Sequence, residues 1–402
     1  MSTPVDKPRL MQLDILRAIA VVLVFGRHAV IQPYEAHHLK PLAETWYRLG
    51  WTGVDLFFVL SGFLIGGLLF KELRDRSRLD VGRFLVRRGL KIWPAYLVCV
   101  TATFVFLIVS LHDVWRAVSV VWANYLHIQN YRDPSVLRLL PHTWSLAVEE
   151  HFYLVLPGLL VLLTSTHRGG PLRRIPRFVA VAVGVLLACL LMRLVTQWYG
   201  LMKPTSIRWA THLRMDSLFM GVLLAYFHHF HPEKLLAVAR HRVALLSVAV
   251  VMLAPFAYLK ENDAFVVTIG FTMISIGYAC LMLATVYTPS TTLLFRNPAA
   301  RLVAYVGSYS YSIFLWHVLL AATPLRTIAG YFALSILGDE GRWVWFMGWY
   351  VVIACGVGMV LGALIEWPVL RWRDRFYPSR AETLVVVPTA SPLLAPAPVS
   401  PH

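Results

Sequence analysis

Stretches of mostly apolar residues, each close to the length of a membrane-crossing helix, recur along this sequence and exclude an ordinary soluble fold. Ten are discernible, near residues 10–32, 51–70, 92–111, 143–163, 178–199, 212–229, 243–259, 264–287, 302–322 and 343–366. A hydrocarbon interior offers no water to backbone N–H and C=O groups, so each stretch must satisfy its own and coil into a helix. The expectation is an all-α polytopic membrane bundle of about ten transmembrane helices. Val114–Leu126 is apolar but shorter and reads as a re-entrant or interfacial helix. A 58% hydrophobic share, 14% charged residues and a mean hydropathy of +0.63 agree with that class.

Charge in the loops gives an expected orientation. Lys71, Arg74, Arg76, Arg78, Arg83, Arg87, Arg88 and Lys91 follow the second stretch, and Arg168, Arg173, Arg174 and Arg177 follow the fourth. Lys234, Arg240 and Arg242 follow the sixth, and Arg371, Arg373, Arg375 and Arg380 the last, whereas the alternate loops are poorer in cations. Positive loops stay inside, which puts both termini in the cytoplasm. The formal charge of +16 is thereby explained by membrane anchoring and does not indicate nucleic acid. The first stretch carries Arg17 and His28 and lacks a small-residue cleavage pattern, so it reads as a retained span and not a signal peptide. The chain divides into a cytoplasmic segment 1–9, a membrane domain 10–375 and a Pro- and Ala-rich disordered tail 376–402. Cys99, Cys189, Cys280 and Cys355 lie singly in apolar runs, without a disulfide or zinc pattern.

Ionisable residues inside apolar stretches locate the chemistry. A charge near a bilayer centre costs about 2.5–3.5 kcal/mol, so such a residue faces a partner, a cavity or a reacting group. Arg17 and His28 are eleven residues apart, which on a helix places them on one face with roughly 16 Å between them. Asp14, three residues before Arg17, offers it an i, i+3 counter-ion. Glu149, early in the fourth stretch, is expected near the depth of His28, where a carboxylate would orient an imidazole acting as general base. The plainer alternatives are a core histidine bonded to a neighbouring carbonyl and a carboxylate facing water. Arg83, Arg87, Arg88 and Lys91 enter the third stretch together, an arrangement that holds phosphates or simply anchors the helix at an anionic lipid surface.

Six pieces of sequence carry a family resemblance. They are Arg17-x10-His28, Gly53–Phe63, the Arg87-Arg88 run ending at Pro94 and Tyr96, Trp144-Ser145-Leu146 with Glu149 and Phe152-Tyr153, Tyr311–His317, and Glu366-Trp367-Pro368. In this order, across residues 9 to 375, the chain resembles the acyltransferase-3 family of membrane O-acyltransferases. The resemblance implies a ten-helix domain of a bacterial inner membrane that moves an acyl group, usually acetyl, from cytoplasmic acyl-CoA to a hydroxyl of an extracytoplasmic glycan or glycosylated acceptor. It implies that Arg17, His28 and Glu149 are catalytic, and that Arg87, Arg88 and Lys91 bind the CoA end of the donor. Asp55, Ser61, Trp144, Arg214, Asp216 and His317 then line the cavity, with Arg214 and Asp216 read as a polar pair. Where the family has Arg-x-x-Arg this chain has Arg88 and Lys91, exchanging a bidentate fork for a point charge. Such a domain is expected without the soluble esterase-like domain of some relatives, acting alone or with a separate partner.

Three decoys carry less. His212-x3-Asp216 approximates a soluble CoA-acyltransferase signature but is followed by Ser217; His228, His229 and His231 lack a carboxylate or Cys to complete a metal set; and Ser61 lacks the nucleophile-elbow glycines. The rival reading from another class is a proton-coupled secondary transporter that uses Arg17, His28, Glu149, Arg214 and Asp216 as a relay. Within the transferase reading, direct attack by the acceptor and an acyl-histidine intermediate both stay open.

Overall fold

Side-chain caps set several helix starts: Asp80 accepts from the Arg83 amide at 3.1 Å and Asp113 from the Arg116 amide at 3.0 Å. Left-handed residues Ser77 (φ 54°) and His112 (φ 52°) close the helices that precede the next turns. The computed structural model describes residues 10–28, 38–133, 139–164, 175–288, 292–321 and 339–378, and the regular structure among them is helical throughout. In chain order the helices are α1 (Met11–His28), α2 (Lys40–Gly50), α3 (Gly53–Arg76), α4 (Val81–Leu111), α5 (Val114–Tyr125), α6 (Trp144–Thr164) and α7 (Ile175–Trp198). Next come α8 (Pro204–Ile207), α9 (Met215–Phe230), α10 (Pro232–Ala239), α11 (Arg242–Leu253) and α12 (Phe271–Val286). The series ends with α13 (Leu293–Arg296), α14 (Pro298–Ser308), α15 (Ser310–Ala321), α16 (Asp339–Leu361) and α17 (Trp367–Phe376).

The all-α polytopic class holds, but the expected ten spans do not. Among the described residues six helices are long and apolar enough to cross a membrane, or up to eight if each of two bent pairs is one span. The bent pairs are α10 with the helix from Arg242, broken by 78°, and α14 with α15, broken by 69°. The two further segments of the ten-span scheme fail for plain reasons: α1 carries Asp14, Arg17 and Arg27 within eighteen residues, and α9 is only sixteen residues long. The inside placement of both termini rested on that scheme and is withdrawn with it. The segment 1–9, Arg168, Arg173 and Arg174, and the tail from 379 onward lie outside the described residues. Within the stretch Val114–Leu126 the residues Val114–Tyr125 form α5, which lies against α4 and leaves Trp115 and Trp122 exposed.

Helix α1 is enclosed by α2, α3, α14 and α15, which explains how a charged helix sits inside an apolar bundle. Close approach depends on missing side chains. A Cβ on Gly307 would stand 1.8 Å from the Asp14 carbonyl oxygen, and one on Gly62 would stand 1.9 Å from that of Leu218. Gly62 and Gly66 form a small-x3-small face on α3 against Gly221 and Val222 of α9, the most extensive helix pairing in the bundle.

Two ion pairs are sealed into this packing. Arg214 reaches Asp55 at 2.5 Å, and Arg193 reaches Asp216 at 2.6 Å, all four side chains being essentially buried. Ser217 donates to Asp55 at 2.9 Å, and the Arg214 guanidinium lies 3.7 Å from the Phe271 ring centre. Asp55→Ala should therefore strand a buried guanidinium and destabilise the protein by about 3–5 kcal/mol. Thermal melting of the detergent-solubilised variant checks this, and a wild-type melting temperature would contradict it.

Candidate active site

Cations converge where α3 ends and α4 begins. A pocket there is lined by Lys71, Arg76, Arg83, Arg87, Arg88 and Arg373, against only Glu72 and Asp75 of opposite sign, with Leu68, Leu69 and Phe84 as its apolar wall. Arg373 arrives on α17; beside it Asp374 accepts from Arg87 at 3.1 Å and so ties α17 to α4. Of the three residues assigned by resemblance to the CoA end, Arg87 and Arg88 line this pocket and Lys91 does not. Lys91, one turn further along α4, lies within electrostatic reach of Glu149 and Glu366.

Arg88 also faces inward. Its Nη2 donates to the Tyr153 hydroxyl at 3.1 Å, and its guanidinium sits 4.6 Å from that ring's centre. Tyr153 in turn donates to Glu149, one turn back on the same face of α6, and shares a 2.8 Å hydrogen bond with Ser61 of α3. A phenol has one proton, so with Glu149 as its acceptor the oxygen receives from both Arg88 and Ser61. Glu149, Ser61 and Arg88, which came from three separate motifs, thus meet on one tyrosine. Tyr153 lay within a quoted motif without a role; its i, i+4 spacing from Glu149 was the available signal.

At the far end of α1 stands a cluster of imidazoles. His28 Nδ1 lies 3.1 Å from the Val24 carbonyl oxygen and 3.2 Å from Nε2 of His317 on α15. His142, in the short 3-10 turn Pro141–Thr143 before α6, brings its ring centre to 5.1 Å from that of His317 and 6.3 Å from that of His28. Phe25 and Phe314 flank the group. Both His142 and His317 are buried, while His28 is half-buried. Among the described residues no carboxylate oxygen lies within 4 Å of a His28 nitrogen.

The structure therefore brings His28 to His317 and His142, and Glu149 to Tyr153, Ser61 and the basic pocket. The reason is helix rise. His142 occupies the level of His28, and Glu149 is seven residues further on, roughly 10 Å deeper along α6. Arg17 spends one N–H on Asp14 at 2.5 Å, the i, i+3 pairing its spacing allows, and remains half-buried. Arg214 and Asp216 do not pair with each other, because two residues apart around a helix start their side chains diverge. Each finds its partner on another helix instead, Asp55 and Arg193. Trp144 stacks on Trp209, with ring centres 6.1 Å apart, and walls the Arg214 guanidinium at 5.5 Å.

Comparison with known proteins fits this layout. A family model described as an acyltransferase domain matches residues 11–367. A candidate O-acetyltransferase of Staphylococcus aureus strain COL is 31% identical over 324 residues, covering 76% of this chain and 49% of that protein. The O-acetyltransferase OatA of Staphylococcus aureus strain NCTC 8325 is 28% identical over 323 residues, with the same shares covered. The chain spans about half the length of the curated relatives it matches. No solved structure matches it. The family match begins at the first residue of α1 and ends at the first residue of α17, so it takes in the basic pocket's α4, the Tyr153 group and the imidazole cluster alike. This multi-pass membrane chain belongs to the acyltransferase-3 family of membrane-embedded acyltransferases.

Proposed function

We propose that this chain is a transmembrane O-acetyltransferase of a bacterial inner membrane. In this reading it moves acetyl from cytoplasmic acetyl-CoA to a hydroxyl of a glycan or glycosylated acceptor on the opposite side. Family membership and the O-acetyltransferase names of its bacterial relatives support the reaction class. The observation that carries the reading is Arg88, which lines the basic pocket and also donates to the buried Tyr153 that Glu149 and Ser61 share. A ligand that is polyanionic at one end and narrow and amide-bearing beyond it suits that sequence of surroundings, and acyl-CoA has this shape.

The phosphates of CoA pair with Arg83, Arg87 and Arg88, and Arg373 closes the pocket from α17. The pantetheine arm passes the Tyr153 group and the Arg17 face of α1, where the guanidinium N–H groups left over by Asp14 meet its amide carbonyls. The thioester then lies beside His28. His28 Nε2 takes the proton of the acceptor hydroxyl as the oxygen attacks the thioester carbonyl. The C–S bond breaks, and the CoA thiolate takes the proton back from His28 and leaves through the basic pocket. Glu149 acts on the donor's side in this scheme, ordering Tyr153 and balancing Arg88 and Lys91.

Charge-assisted hydrogen bonds contribute about 1.5–3 kcal/mol each, so Arg88→Ala should raise KM for acetyl-CoA by roughly ten- to a hundredfold. Steady-state release of free CoA by the purified protein measures this. An unchanged KM would remove Arg88 from the donor site. Uptake of an unmodified solute by proteoliposomes, with no acyl transfer, would favour the transporter reading instead.

A further inference from the structure

We propose that His317 is a positioning residue that holds His28 in its base form and supports the proton it gains, the task expected of a carboxylate. The proposal rests on the O-acetyl-transfer reading above. Its basis is a set of tautomers that two separate carbonyls fix in agreement. A carbonyl oxygen only accepts, so the 3.1 Å contact with Val24 requires hydrogen on His28 Nδ1. The 2.5 Å contact between His317 Nδ1 and the Phe314 carbonyl likewise requires hydrogen on His317 Nδ1. His317 Nε2 is then a lone pair 3.2 Å from His28 Nδ1, so the one hydrogen on that nitrogen is shared between the Val24 carbonyl and His317, and the link between the rings runs from His28 to His317.

The same assignment leaves a lone pair on His28 Nε2, which makes no hydrogen bond among the described residues. That nitrogen is the base. When it takes a proton, the positive ring keeps its Nδ1–H on a neutral imidazole acceptor, and His317 cannot turn away because Phe314 holds its other nitrogen. His142 walls the pair from the third side, its Nε2 anchored 3.0 Å from the Leu315 carbonyl and its buried Nδ1 without a partner. Among the described residues the charged group nearest to this cluster in sequence is Arg27, and it is bound to Glu261 at 2.7 Å.

The test uses the purified full-length protein with acetyl-CoA and an oligosaccharide pool from the producing cell's envelope, following free CoA. His317→Leu removes the acceptor, and His317→Gln places an amide oxygen near the position of Nε2. The expected result is that Leu lowers kcat by about a hundredfold, within the range for general-base assistance, with KM for acetyl-CoA unchanged. Gln should recover most of the lost rate. Full kcat in His317→Leu, or a His317→Gln protein that melts like wild type yet is as inactive as Leu, overturns the proposal. If the Leu variant does not fold, Gln is set against His317→Asn, which is too short to reach His28; equal rates for the two overturn it. Absence of acetyl transfer by the wild-type protein removes the reading beneath this inference, continued transfer by His28→Ala removes His28 as the base and this inference with it, and loss in His28→Ala with full activity in His317→Leu removes this inference alone.

Discussion

His28→Ala is expected to lower kcat for acetyl transfer by about 10²–10⁴-fold, the contribution of a well-placed general base. The loss should be catalytic and not structural. His28 is the last residue of α1 and half-buried, and the contacts that seat the helix come from Leu16, Ala20, Val21, Val24 and Phe25, which the variant keeps. The cations proposed to hold CoA lie where α3 ends and α4 begins, away from the α1 terminus, so KM for acetyl-CoA should be unaffected. Free CoA release with added acceptor, measured beside a melting curve, separates the two causes. A variant that keeps wild-type kcat would show that the proton of the acceptor goes elsewhere.

A second large effect, this one on packing, is expected at Gly62. Its added Cβ would stand 1.9 Å from the Leu218 carbonyl oxygen and 3.2 Å from the Gly221 Cα, so the backbone of α9 and not a flexible side chain is in the way. Only separation of α3 from α9 relieves the clash. Gly62→Ala should therefore cost about 3 kcal/mol or more, at or beyond the upper end for overpacking. It should also reduce transfer, because Ser61 and Asp55 ride on the same helix. Gly67→Ala is the matched control: its Cβ would meet only His229 Nε2, at 3.4 Å, an ordinary contact. A lower melting temperature for Gly62→Ala alone is expected, and equal melting of both variants would contradict the packing argument.

Periodic apolar length made the helical membrane class legible, and the density of cations at Arg83, Arg87 and Arg88 made the basic pocket legible before any contact was visible. The number of spans was not. Apolar length cannot tell a straight helix from the bent pair α14–α15, and it favours α9, which is apolar but short. The rule that singled out Arg17, a charge within an apolar stretch, applies equally to Arg193, which holds Asp216 at the centre of α7–α9 packing. Partners across helices were the least legible. Spacing places Glu149 and Tyr153 on one face, but nothing along the chain brings Ser61 to them or His317 to His28, because those pairs depend on how α3 and α15 dock. The distance between His28 and Glu149 follows from the 3-10 turn at Pro141–Thr143, which sets His142 and not Glu149 at the level of the α1 terminus.

The central claim is that one chain passes acetyl from a donor on one side of a membrane to an acceptor on the other. Proteoliposomes of the purified protein, loaded with radiolabelled acetyl-CoA and given an envelope oligosaccharide pool only outside, test it directly. Labelled acetyl on the external oligosaccharide, with unlabelled CoA retained inside and no transfer by His28→Ala, is the predicted result. Label that stays inside as intact acetyl-CoA would contradict it, and an external acceptor acetylated equally well by His28→Ala would remove His28 from the reaction.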